Sequence, residues 1–184
     1  MSSAATPTAP GGTSPGSGAE LTAGCSVHTG PPQPSIDGTP QPANQNALRE
    51  VAQRVQETAA VRFADVYAGV ALYQVGDRIR VYRKPSADFD AWIRRDFADE
   101  CVEVYDARYS ARELYAWQER INADDSSWRA RGVHIVSSGA DFVLGEIEVG
   151  VEAADVELAR REFPLRYGAE APIIIVEGKA ITAA

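Results

Sequence analysis

Apolar and polar residues recur with two different periods between positions 44 and 178, and the order of those periods occurs twice. Spacings of three and four residues predict amphipathic helices, whereas alternation predicts half-buried strands. Each pass reads helix, strand, turn, strand, helix, strand. The first pass covers about 44–107 and the second about 110–177. The pattern therefore predicts two αββαβ units.

The first unit begins with Leu48, Val51 and Val55 at helical spacing. Ser86 is placed to accept a hydrogen bond at the start of the second helix, because a side-chain oxygen there satisfies an unpaired backbone donor. Cys101 opens the last strand. The predicted strands cover 67–73, 78–84 and 101–105.

The second unit begins at Ser110, which forms a predicted capping box with Glu113. Gly132 is expected to end that helix, since a residue after a helix often adopts a left-handed conformation. Another helix is predicted over 154–167. The predicted strands cover 133–137, 144–151 and 172–176.

These elements predict an α+β fold with a ferredoxin-like arrangement. From Cys101 onward the order is strand, helix, strand, strand, helix, strand, which is that of a split βαβ motif. The helices are expected to cover one face of each sheet. The predicted domains are residues 44–108 and 109–184.

A tail of different composition precedes these units. Residues 1–43 hold 8 of the 11 prolines and 7 of the 15 glycines, with no Lys, Arg or aromatic residue. Such a segment buries too little apolar surface to offset the entropy of ordering. We therefore predict that the tail is disordered.

The charge balance limits the classes of partner. The formal net charge is -8, which argues against a binder of duplex nucleic acid. No apolar run reaches the roughly 18 residues of a membrane span, and no signal peptide precedes the tail. We expect a cytoplasmic protein, or an exported one if the start codon is misassigned.

The residue types that usually carry chemistry are few. His134 has no cysteine or second histidine near it in the sequence, and no calcium-loop or phosphate-loop spacing is present. The two cysteines, Cys25 and Cys101, do not suggest a disulfide framework or a zinc site, and we expect Cys101 to be an inert buried thiol. The motifs favour a protein without metal or cofactor, and a non-catalytic role.

The more informative side chains follow the strands of the first unit. Period-two alternation predicts that tyrosine and arginine share the sheet face that helices leave open, a composition typical of protein-contact surfaces. The alternative is that the second unit covers this face. The candidate protein-binding residues are Tyr67, Tyr73, Arg80, Tyr82 and Tyr105.

The two-pass order resembles the pro-regions of α-lytic-protease- and streptogrisin-type serine proteases, and more loosely the propeptides of subtilisins. Residues 75–82 with the Ser86 helix carry the likeness, as do residues 146–150 with a helix ending at 166–168. The Ala-, Arg- and Gly-rich style also resembles small actinobacterial proteins.

This resemblance implies a non-catalytic protein that binds a serine protease and assists its folding or blocks it. No protease domain follows Ala184, so we expect action in trans. The alternative function is a small-ligand binder or enzyme with a cleft between the two units. Its nearest polar candidates would be Arg78, Arg80, Asp106 and His134.

Overall fold

The computed structural model describes residues 20–22, 24, 33–36, 39–41, 45–74 and 77–178. The helices are α1 (Gln45–Arg62), α2 (Ala87–Asp96), α3 (Ala111–Ala123), α4 (Asp125–Ala130) and α5 (Val156–Tyr167). The strands are β1 (Glu20–Leu21), β2 (Gln33–Ile36), β3 (Thr39–Gln41), β4 (Tyr67–Tyr73), β5 (Arg78–Arg83), β6 (Val102–Asp106), β7 (Ile135–Asp141), β8 (Glu146–Val151) and β9 (Ile173–Glu177). The α+β class is confirmed.

The first unit is a mixed sheet packed against helices. Strand β4 pairs antiparallel with β5, which pairs parallel with β6 after the α2 crossover. Aliphatic side chains from β5 and β6 meet the apolar stripe of α2, and Phe89 and Trp92 lie at the centre of that contact. The period-two aliphatic pattern of the strands therefore forms the helix-facing side of this sheet.

The second unit repeats the arrangement with its own core. Strand β7 pairs antiparallel with β8, and β8 pairs parallel with β9. Trp128 from α4 stacks on Phe163 from α5 at 4.2 Å between ring centroids. The Trp128 indole N–H also donates to the Tyr167 hydroxyl at 2.8 Å, so the ring is buried without losing a hydrogen bond.

The two hairpins share one register, including an irregularity at the same place. Tyr67 pairs with Arg83 in the first hairpin, and Ile135 pairs with Val151 in the second. In each hairpin the register shifts at the next residue, which marks a β-bulge. The repeat therefore extends from element order to backbone geometry.

The ferredoxin-like topology is not confirmed. Strand β6 joins the sheet of β4 and β5, while β7, β8 and β9 form a separate sheet. The six elements from β6 onward therefore do not share a sheet, although their order along the chain fits that motif.

Helix boundaries follow the predicted caps. The Ser86 hydroxyl accepts from the Phe89 N–H at 3.3 Å, and Ser110 and Glu113 form the full capping box. The long helix predicted before Gly132 is divided at Asp124 into α3 and α4. Gly132 follows α4 with φ +82°, a left-handed conformation that suits glycine.

Most of the predicted tail, residues 1–43, lies outside the described residues. The described part of the tail includes strands β1, β2 and β3. Strand β1 extends the first sheet by pairing antiparallel with β6. The Thr22 N–H donates to the Val102 carbonyl at 3.1 Å, and the Val102 N–H donates to the Thr22 hydroxyl at 2.9 Å. A Cβ on Gly24 would overlap the backbone of Asp99. This part of the tail thus follows β6 closely.

The prediction for Cys101 is wrong. Cys101 is only half-buried and is joined in a disulfide bond. The other cysteine of the chain, Cys25, lies outside the described residues. Sequence spacing did not indicate the bond because the contact of β1 with β6 is formed only by folding. Among the described helices, none is long and apolar enough to cross a bilayer.

Candidate functional site

The open face of the first sheet carries a cluster of aromatic and charged side chains. Tyr82 and Tyr105 lie on neighbouring parallel strands and stack with 5.6 Å between their ring centroids. The Arg80 guanidinium lies 3.9 Å from the centroid of the Tyr73 ring and 5.6 Å from that of Tyr105. Four of the five predicted binding residues are therefore brought together.

A buried carboxylate holds this cluster in place. Glu103 has a side chain that is 6% exposed and accepts hydrogen bonds from Arg78, from Arg80 at 2.9 Å and from the Tyr105 hydroxyl at 2.7 Å. Burial alone would raise the pKa of Glu103, but these donors outweigh it and hold the pKa below its usual range. Glu103 therefore acts as an ionised anchor that fixes Arg80 and Tyr105.

The predicted position of Tyr67 on this face is wrong. The β-bulge after Tyr67 shifts the alternation by one residue, so its ring faces the helices and stacks on Phe89 at 6.5 Å. A bulge places two residues opposite one and redirects the side chains on either side of it. The sequence signal for this shift is Gly69, because a glycine within a strand often marks a bulge or a close approach of another segment.

The remaining residues differ in accessibility. Tyr82 is 5% exposed, whereas Tyr73 is 39% exposed. Tyr105 and Arg80 are half-buried. We refer to Tyr73, Arg80 and Tyr105 as the aromatic platform, because these three combine a fixed geometry with accessible surface.

The second unit covers only one end of this face. Phe142, after β7, packs on Gly69 of β4, where a Cβ would come within 2.9 Å of the Phe142 Cβ. Glycine is therefore needed at position 69 for this close approach. The alternative prediction, that the second unit covers the face, holds for the Gly69 end and not for Tyr73.

A cleft of about 520 Å³ lies between the two units. Two ion pairs connect the first unit to α3 near the cleft. Arg112 lies 2.6 Å from Asp65, and Lys84 lies 2.7 Å from Glu113. Helices α1 and α3, strand β4 and Phe142 supply its walls. A cleft was predicted there, but with other residues: Arg78, Arg80, Asp106 and His134 are not among those that line it.

Tyr67 lines this cleft although it belongs to the first core. Burial raises the pKa of its phenol, and the neighbouring Tyr115 hydroxyl raises it further. The hydroxyl is therefore protonated at any physiological pH and can act as a hydrogen-bond donor. Tyr67 was predicted on the open sheet face, and in the structure it lies between the first core and the cleft.

His134 has two carboxylates near it in the fold. Candidate ligand atoms of His134, Glu152 and Asp155 lie within 4.8 Å of one another. However, one Asp155 oxygen already accepts from both the His134 N–H and its ring Nδ1 at 2.8 Å. These bonds lower the pKa of Asp155. They connect the start of β7 to the segment just before α5, which is a structural role.

Arg83 is a buried charge that the sequence did not reveal. Its guanidinium binds Asp90 in a bidentate manner at 2.7 and 2.9 Å and also contacts Asp106. The Arg83–Asp90 pair joins β5 to α2, and Arg83 is not among the residues that line the cleft. We assign Arg83 to the support of the first unit, since a fork–fork pair adds geometric specificity.

The outer edges of the two sheets differ. The outer edge of β6 is covered by β1, whereas no described strand pairs with the outer edge of β9. The Arg160 guanidinium lies 3.5 Å from the Ile175 carbonyl on that edge. Ile174 is 44% exposed beside it.

Comparison with known proteins assigns no family. No model of a protein family matches the sequence, and no curated protein matches it either. The likeness to protease pro-regions therefore stays a prediction.

Proposed function

We propose that this protein is a non-catalytic protein-binding module and that the aromatic platform is its contact surface. The observation that carries the proposal is the position of Arg80, held by buried Glu103 and stacked 3.9 Å from the Tyr73 ring centroid. Because these rotamers are fixed before binding, little side-chain entropy is lost on association. Tyrosine and arginine are also the residues most enriched in binding hot spots.

The partner that the pro-region resemblance favours is a serine protease, which this chain would assist or inhibit in trans. The disulfide at Cys101 supports the exported alternative over the cytoplasmic one, because disulfides persist mainly in oxidising compartments. Secreted serine proteases occupy such compartments, so the proposed location and the proposed partner agree.

Site-specific photo-cross-linking tests the surface. A benzophenone side chain at Tyr73 should give an adduct with a partner protein, and Arg80→Gln should abolish that adduct. The matched control is the same label at Leu165, which is 78% exposed on α5 and away from the platform. Equal adduct yields at both positions, or an adduct that survives Arg80→Gln, would contradict the assignment.

A streptogrisin-type protease tests the partner class. We expect the purified chain to slow hydrolysis of a chromogenic peptide by the protease, and Tyr73→Ser with Tyr105→Ser to weaken this inhibition about tenfold or more. If neither chain inhibits the protease or aids its refolding, the protease assignment is wrong. The cross-linking result would still stand or fall separately.

A further inference from the structure

The cleft between the units contains a polar group without a protein partner. Tyr67 is 6% exposed, and no described residue hydrogen-bonds its hydroxyl. Its ring packs on Phe89 on the core side, while the electrostatic neighbour of its hydroxyl is Tyr115, which also lines the cleft. The hydroxyl is therefore directed to the cleft. The Tyr67 oxygen is not among the fully buried unpaired atoms of the described residues, so it reaches the solvent in the cleft, where a ligand oxygen can replace water as its hydrogen-bond acceptor.

The walls of the cleft are mostly small and apolar. Small side chains from three elements leave the space open, and the rings of Tyr115 and Phe142 meet edge to face at 5.5 Å at one side. A cavity of about 520 Å³ is within the range of small-molecule sites, which are mostly apolar with a few placed polar groups. The small residues are Ala60, Ala64, Ala68, Gly69, Ala111 and Ala116.

The charged residues that line the cleft do not favour a charged ligand. Arg112 and Glu119 are its charged residues among those described, and their formal charges cancel. Arg112 is also paired with Asp65 at 2.6 Å, with both side chains largely exposed. A charged ligand would lose hydration in the cleft without gaining an unpaired opposite charge.

We propose that this cleft binds a neutral and mostly apolar small molecule whose carbonyl oxygen accepts a hydrogen bond from the Tyr67 hydroxyl. The raised pKa of Tyr67 agrees with this assignment, because a phenol that stays protonated remains a donor. Phe142 encloses the ligand because Gly69 allows it to approach β4. The proposal does not depend on the protein-binding function, since the aromatic platform lies elsewhere on the sheet.

Fluorescence titration with a neutral aryl ketone tests this site. The probe is 6-propionyl-2-(dimethylamino)naphthalene, whose emission responds both to polarity and to hydrogen bonding at its carbonyl. A second probe, 2-(dimethylamino)naphthalene, has the same ring system without the carbonyl. We expect the ketone to bind the full chain, and Tyr67→Phe to weaken it about fivefold, the effect of losing one hydrogen bond. The carbonyl-free probe should bind both proteins equally.

Filling the cleft provides the second measurement. Ala116→Trp should abolish binding of both probes, because position 116 is on the exposed surface of α3 and lines the cleft. Ala91→Trp, on the exposed face of α2, is the matched control and should bind as the unchanged chain does. Tyr73→Ser should also bind both probes normally, which separates this site from the aromatic platform.

Three results would overturn the proposal. They are absence of ketone binding to the full chain, equal loss of both probes in Tyr67→Phe, and ketone binding that persists in Ala116→Trp. Circular dichroism and thermal unfolding of each variant show that the fold is retained. Unchanged ketone affinity in Tyr67→Phe, with a normal unfolding curve, is a fourth such result, because the hydroxyl would then play no part in binding.

Discussion

The two units have the same arrangement and register of strands, but they differ in the side chains on the sheet face that points away from the helices. Helix-facing residues stay aliphatic in both, as Ile79 of the first unit and Ile147 of the second occupy the same register and are fully buried. On the opposite face, the register position of Glu103 in the first unit belongs to Ile174 in the second. The first sheet thus combines an ion-pair network with aromatic rings, and the second has neither at those positions.

The sheet edges differ in the same sense. A segment from outside the repeat, β1, covers β6, while no described strand covers β9. Core-facing side chains therefore stay apolar in both units, whereas the charged and aromatic side chains that we propose to bind a partner belong to one unit only. A test of this view is to exchange residues between equivalent positions.

The largest effect is expected from exchanging the residues at the base of the two hairpins. Val151 is fully buried and occupies the register position of Arg83. Val151→Arg should destabilise the protein by about 4 kcal/mol or more, because it buries a charge without the carboxylates that surround Arg83.

The reverse change, Arg83→Val, should cost less, about 3 kcal/mol, because Asp106 is largely exposed and can be hydrated, whereas Asp90, 15% exposed, is left without its bidentate partner. Denaturant unfolding of both variants measures the difference. Equal losses would show that the two positions have equivalent surroundings and would remove the contrast between the units.

The covered edge provides the next largest effect. Cys101→Ser removes the disulfide and should lower the free energy of unfolding by about 2–4 kcal/mol. We also expect faster hydrogen exchange at the Val102 amide, whose acceptor is the Thr22 hydroxyl. The equivalent amide of Ile173 donates to the Ala171 carbonyl within its own unit, so its exchange should change only with global stability. A uniform change at both amides would mean that β1 is held without the disulfide.

Much of the fold could be predicted from the sequence because periodic patterns encode it locally. The helix caps at Ser86 and Ser110 are confirmed, and the strands of the first hairpin were expected near their observed positions, whereas β7 continues to Asp141, four residues beyond the predicted 133–137. These features depend on residues close in sequence, whose spacing reflects which face is buried.

The rest of the structure depends on contacts that spacing does not encode. The bulge after Tyr67 moved that residue from the predicted face into the core, and Gly69 indicates an irregular strand there but not which side chains change face. Strand β1 is two residues long within a Pro- and Gly-rich segment, so its pairing with β6 left no periodic signal. The cleft and its Tyr67 donor arise only when α1, α3 and β4 meet.

Glu103 gives the first sheet an acid-sensitive ion-pair network at a position where the second sheet has the uncharged Ile174. Its folded pKa lies below the usual value, so its contribution to stability is present above the unfolded pKa of about 4.3 and is lost as pH falls through the folded value. Glu103→Gln should therefore lower the free energy of unfolding by roughly 1–3 kcal/mol at pH 7. The difference between this variant and the unchanged chain should shrink as the pH decreases below about 4.

The pH series is compared with Glu148→Gln, an exposed glutamate on the second sheet. No described residue forms an ion pair with Glu148, so this variant should change the free energy of unfolding at pH 7 by less than about 0.5 kcal/mol. A gap for Glu103→Gln that stays constant on acidification would show that the Glu103 side chain stabilises the cluster by packing rather than by charge.

The smallest effect is expected at the open edge, where the two copies differ most in exposure. Ile174 is 44% exposed on β9, and an exposed apolar edge strand tends to pair with other chains. Ile174→Lys should change the free energy of unfolding by less than about 0.5 kcal/mol, as usual for surface positions. Light scattering at high concentration should show less association than for the unchanged chain, because a lysine beside the edge opposes pairing.

Leu165→Lys is the control, since that residue is exposed on α5 rather than on a strand. An equal decrease in association for both variants would mean that surface charge, and not the β9 edge, governs association.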